Sequence, residues 1–85
     1  MESIINAYIS RELVSKPELL PLKNDSSLLA SGILDSLAVL KLVLFLEEQF
    51  GITVAAEDLI PAHFETVEAI CTYLQARHQV QEVQG

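Results

Sequence analysis

An all-α domain is the fold class this sequence predicts, on three observations. Leu, Ala and Glu, all good helix formers, dominate the segments between turn signals. Apolar residues recur at helical spacing, and few β-branched alternating runs occur. The β-like run Ile52-Thr53-Val54 is only three residues long and has no partner strand, so it reads as a connector. At 85 residues there is room for one domain, expected over residues 1–78, with a polar, flexible C-terminal tail over 79–85. The composition is 51% apolar with three glycines and three prolines, which describes a globular chain rather than a disordered one.

The first helix is expected over 2–14, where Ile5, Tyr8, Ile9 and Leu13 share a face. Pro17 and Pro21 then interrupt helical structure. Residues 15–34 read as an ordered loop crossing the helices. Asn24-Asp25-Ser26-Ser27 and Gly32 are its turn signals, and Leu28, Leu29, Ile33 and Leu34 pin it to the core, with a turn of helix near Leu28. Loops this long in small domains are often functional.

The second helix opens at Asp35-Ser36. Asp35 is a good N-cap because its carboxylate can accept from the first-turn amides. The helix runs through Phe50 and stops at Gly51, a residue suited to the left-handed conformation beyond a helix end. Residues 37–46 are apolar almost all the way round, more than a small domain can bury. Leu40, Val43, Leu44 and Phe50 are expected to point inward. Leu37 and some of Val39, Leu42 and Phe45 would stay exposed or line a cavity, making a contact surface. A short helix is expected over 56–60, ending near Pro61. Thr66 can cap the last helix, Glu68 suits its positive end, and Val67, Ile70, Cys71 and Leu74 mark its buried face.

Charge and cysteine content narrow the function. Five basic residues against twelve acidic ones leave a net charge of -7, which repels phosphate backbones and anionic lipid, so neither nucleic acid nor a membrane surface is an expected partner. The single cysteine, Cys71, cannot form an internal disulfide, and the start Met1-Glu2-Ser3 lacks the basic opening of a secretory signal. The apolar stretch 37–46 is interrupted by Lys41 and is half of the ~20 residues a membrane span needs. A cytoplasmic monomer without membrane insertion is expected.

Four chemistries are open to these residues. A serine hydrolase at Ser36 lacks the flanking glycines of a nucleophile elbow, and nothing places His63 or His78 as its base. A zinc site from Cys71, His63 and His78 matches no ligand spacing; Cys71 reads as a small buried side chain, and His78 as a complement to a helix C-terminus. DNA binding conflicts with the acidity. A prosthetic group on Ser36 fits best: a serine in the first turn of a helix after a long loop is reachable, and the helix end suits a phosphodiester. Taken alone, an Asp-Ser pair is far more often an ordinary helix cap.

The wider pattern resembles the acyl carrier protein family. It comprises Ser31-Gly32-Ile33-Leu34-Asp35-Ser36-Leu37, then Leu42-Val43, then Leu46-Glu47-Glu48-Gln49-Phe50-Gly51-Ile52, and the likeness extends over roughly 4–74. It implies a four-helix bundle with three longer helices and one short one. It also implies a carrier, not an enzyme, with 4′-phosphopantetheine joined to Ser36, flanked by Asp35 and Leu37. A phosphopantetheinyl transferase would install the arm from coenzyme A. Acyl- or aminoacyl-loading and transferring enzymes would be the other partners, met through Leu37, Ala38, Val39, Lys41, Glu47 and Glu48. Cargo would travel as a thioester in fatty-acid, polyketide or related biosynthesis.

Two positions depart from the family pattern: Ala38 and Lys41 stand where fatty-acid carriers commonly have acidic residues, which weakens steering toward a basic patch. The same stretch, with Ala38, is similar to D-alanyl carrier proteins, as is Phe64-Glu65-Thr66 more faintly. An aminoacyl cargo loaded by an adenylating ligase is therefore the alternative. A helical protein-interaction module without a prosthetic group is the alternative of another class.

Overall fold

Ile5 and Ile9, one turn apart and both without solvent exposure, fasten the start of the chain to the core. The structure, a computed structural model, describes residues 1–78. The tail expected over 79–85 lies outside the described residues. α1 (Glu2–Tyr8) runs straight into a π-helical turn (Ile9–Leu13), so the segment read as one helix over 2–14 changes its winding midway. A 3₁₀ turn (Pro17–Leu19) follows, with Pro17 in the first position, where its missing N–H costs nothing. The long loop then leads to α2 (Ser36–Phe50). A second 3₁₀ turn (Ala56–Asp58), the short α3 (Pro61–Phe64) and α4 (Val67–His78) complete the described chain. α1, α2 and α4 lie where the sequence reading expected helices, the short α3 falls after the expected 56–60, and no strand occurs among the described residues. Ile52-Thr53-Val54 is indeed a connector. None of these helices is long and apolar enough to cross a membrane.

The caps explain the boundaries. The Asp35 carboxylate accepts from the Ala38 amide at 2.8 Å to open α2, and Gly51, at φ +64°, closes it with its N–H on the Glu47 carbonyl. The Thr66 hydroxyl accepts from the Ala69 amide at 2.9 Å to open α4. Pro61 begins α3 instead of ending a helix over 56–60, since proline suits a first turn and disrupts an interior one.

The core is built from Leu28, Leu42, Leu46, Val67, Ile70 and Leu74, all fully buried, with Phe64 and Tyr73 nearly so. On α2 the inward face differs from the expected one. Ala38, Leu42, Val43 and Leu46 point in, while Leu40 and Leu44, expected inside, are 55% and 59% exposed. The rows 38–42–46 and 39–43 are i, i+4 neighbours and form one continuous stripe, which turns 40 and 44 outward.

Asp58 is the buried charged residue among the described residues, 5% exposed, and it ties the second 3₁₀ turn to α4. The Tyr73 hydroxyl donates to its carboxylate at 2.9 Å and Arg77 donates to the other oxygen at 3.0 Å. His78, expected only to complement the helix dipole, lies with its Nε2 3.0 Å from the Tyr73 hydroxyl. Because that hydroxyl donates to Asp58, it accepts from the imidazole. His63 donates from Nδ1 to the Asp58 carbonyl at 2.8 Å and stacks on Tyr73 at 4.5 Å. Burial, and then the hydrogen bond to Asp58, push the Tyr73 hydroxyl up to about 12.

Candidate functional site

The loop before α2 is held from both sides. The Leu28 amide donates to the Glu65 carbonyl at 2.7 Å, and the Leu34 amide donates back to the Leu28 carbonyl at 2.9 Å. Leu28, Ile33 and Leu34 are buried and Leu29 packs against them, while Gly32, at φ +80°, makes the turn between. These anchors fix where the chain enters α2, so the first residue of the helix is presented by a rigid support.

That residue is Ser36, which is exposed, as are its neighbours Asp35 and Leu37. Asp35 uses one carboxylate oxygen on the Ala38 amide, which leaves the amides of Ser36 and Leu37 at the open end of the helix. A helix start of this kind favours an anionic oxygen bonded to the serine. Beside it lies a cleft of about 190 Å³ between the end of the π turn and α2, lined by Glu12, Ser15, Gly32, Asp35, Leu37 and Lys41. Lys41 brings one positive side chain to a cleft whose other charged residues, Glu12 and Asp35, are acidic. An exposed hydroxyl, a positive helix end and open space beside it fit a phosphate-linked prosthetic group.

The other expected surface residues divide. Leu37, at 62% exposure, Lys41 and Glu48 face solvent, and Val39 is half-buried. Ala38 is 8% exposed and packs into the core, so its side chain is withdrawn from any contact surface. The Glu47 carboxylate accepts from the Val54 amide at 2.9 Å and thereby holds the connector after α2. Leu40 and Leu44 join the exposed surface instead. Lys41 and Glu48, seven residues apart and so nearly in line on the helix, are the sequence signal that marks this outer face. His63 through Nδ1 and His78 through Nε2 each join the Asp58–Tyr73 cluster. No group of three or more His, Cys, Asp or Glu among the described residues is arranged to hold a metal, and Cys71 is buried on α4.

Residues 9–74 match the phosphopantetheine attachment site family. The chain belongs to that family. It is a carrier domain, not an enzyme, and 4′-phosphopantetheine is its covalent prosthetic group. Such carriers work with a transferase that installs the arm and with the biosynthetic enzymes that use it. No curated protein matches the chain significantly.

Proposed function

We propose that the carrier domain, residues 1–78, holds acyl groups on an arm joined to the Ser36 hydroxyl, and presents them in the cytoplasm to enzymes of fatty-acid, polyketide or related biosynthesis. The observation that carries this reading is an exposed serine opening α2 directly after a core-pinned loop, inside the matched residues. When attached, the arm supplies a terminal thiol that takes cargo as a thioester. The chain's own residues position and recognise. Asp35 caps α2 and offers its second carboxylate oxygen to the metal of the transferase. Leu37, Val39, Lys41 and Glu48 form the surface that partners read, and the tether raises the local concentration of cargo at their active sites.

Ala38, at the end of the stretch 31–38, supports a second reading, an aminoacyl carrier similar to D-alanyl carriers and loaded by an adenylating ligase. Both readings need the arm. The test is intact mass after incubation with coenzyme A, Mg²⁺ and a broad-specificity phosphopantetheinyl transferase. The unaltered chain gains one phosphopantetheine and Ser36→Ala gains none. An unaltered chain that stays unmodified beside an active transferase would instead be a helical interaction module.

A further inference from the structure

We propose that residues 55–63 form a strap that opens as a unit from the rest of the fold and is closed by a polar clasp on Asp58 rather than by apolar packing. The strap comprises the second 3₁₀ turn and most of α3. Within it Asp58 alone is buried. Its large apolar residues, Leu59 and Ile60, are 38% and 44% exposed, and no apolar residue of the strap belongs to the core.

The backbone bonds of the strap close on the strap itself. The amides of Asp58, Leu59, Ile60 and His63 donate to the carbonyls of Ala55, Ala56, Asp58 and Ile60 at 2.9–3.1 Å. The bond from the His63 ring to the Asp58 carbonyl is internal too. Among the described residues, the hydrogen bonds from the strap to α4 both end on the Asp58 carboxylate, one from the Tyr73 hydroxyl at 2.9 Å and one from Arg77 at 3.0 Å. His63 adds a ring stacked on Tyr73 at 4.5 Å.

A clasp of this kind holds less firmly than a core. Both bonds to the carboxylate are charge-assisted and individually strong. Closing, however, takes that carboxylate out of water, and the desolvation offsets much of what the bonds return. Opening gives Asp58 its water back, and the Arg77 side chain, 54% exposed, already meets solvent. No core side chain of the strap loses its packing. The strap therefore opens at a lower free energy than the whole molecule unfolds.

Both ends of the strap are fastened to elements that stay in place. Before it, the Val54 amide is held by the Glu47 carboxylate of α2 at 2.9 Å. After it, Phe64 is buried and the Glu65 carbonyl accepts from the Leu28 amide at 2.7 Å. Opening bares the face of Tyr73 on which His63 stacks and leaves α2, with Ser36 at its start, where it is. The inference goes beyond the carrier reading and does not depend on attachment at Ser36.

The test is amide hydrogen exchange by NMR on the full, unmodified chain at neutral pH and low urea concentrations. The amides of Asp58, Leu59, Ile60 and His63 share one opening, are less protected than those of Leu46 and Ile70 by about tenfold or more, and respond little to urea because a strap exposes little surface. Leu46 and Ile70 follow the steep urea dependence of global unfolding. Tyr73→Phe keeps the ring, removes its bond to Asp58 and lowers the protection of the strap amides by about tenfold. Arg77→Gln, at a half-exposed position, has the same effect and serves where Tyr73→Phe folds poorly. Asp35→Ala, which weakens the cap of α2 outside the strap, lowers the protection of Leu46 and Ile70 and spares the strap. Strap amides that fall on the urea line of Ile70, that exchange at free-chain rates in the parent, that are unmoved by both clasp variants or that weaken in Asp35→Ala each overturn the proposal.

Discussion

At Asp35 a helix cap and a second carboxylate oxygen sit in one side chain, and substitution can separate them. Asp35→Ala removes the acceptor 2.8 Å from the Ala38 amide and should lower stability by about 1 kcal/mol in urea unfolding. Asp35→Asn keeps an equivalent cap and should unfold at the same urea concentration as the parent. If the carboxylate also serves the metal of the transferase, Asp35→Asn slows modification of Ser36 by about tenfold or more, on the scale of one lost charge-assisted contact. A parental rate in Asp35→Asn would reduce Asp35 to a cap. At the other end of α2, Gly51 holds φ +64° with open space around its Cα, so only backbone strain opposes a side chain there. Gly51→Ala should cost about 1 kcal/mol, measured the same way.

Between elements, the Asp58 cluster makes the fold sensitive to alkali. A free tyrosine loses its proton near pH 10, whereas Tyr73 holds its proton to about 12 because it is buried and donates to Asp58. Below pH 10 folded and unfolded chains are both protonated at this site and stability is full. From 10 to 12 only the unfolded chain releases the proton, so stability falls by about 2–3 kcal/mol across the window. Tyr73→Phe should remove that part of the slope in urea titrations at pH 9–12 and cost about 1–2 kcal/mol at pH 7, where Asp58 and His78 each lose a partner. Some slope remains, since burial and then Glu12 also push Tyr8 upward.

Why the cluster escaped a linear reading is plain at this scale. Asp58 lies 15 residues before Tyr73 and 19 before Arg77 and meets them only through packing. The caps were legible because each rests on one residue and its local neighbours: Asp35, Gly51 and Thr66. So was the buried face of α4, where polar residues mark the opposite side. The phase of α2 was not, because apolar residues cover nearly its whole circumference and only contact with the rest of the core chooses among them. The exposed position of Ser36 was legible from the loop and the cap. The turning of Ala38 inward and of Leu40 outward was not.

Across the molecule, charge is unevenly placed. The chain carries -7, yet over residues 36–46, the first three turns of α2, Lys41 is the charged side chain. The acidic residues of this helix, Glu47 and Glu48, come only in its last turns, and Glu47 is occupied with the Val54 amide. A partner with a basic docking patch is therefore attracted by the distant field and opposed at close range by one ammonium beside Leu37 and Leu44. Lys41→Glu reverses that contact by two charges at an exposed position where the fold does not depend on it. Each unit charge about 8 Å from a partner charge in water is worth about 0.5 kcal/mol, so the pair of changes amounts to about 1 kcal/mol, or roughly fivefold in kcat/KM. Modification of Lys41→Glu by a transferase with a basic patch should speed up by that factor at about 0.1 M salt and return toward the parental value near 1 M, where the screening length shrinks from about 10 to 3 Å. The salt dependence separates steering from packing, because a gain made by new close contacts would persist at high salt. A slower rate at low salt would mean that the enzyme meets Lys41 with a carboxylate, and that the departure from an acidic helix is itself the recognition feature.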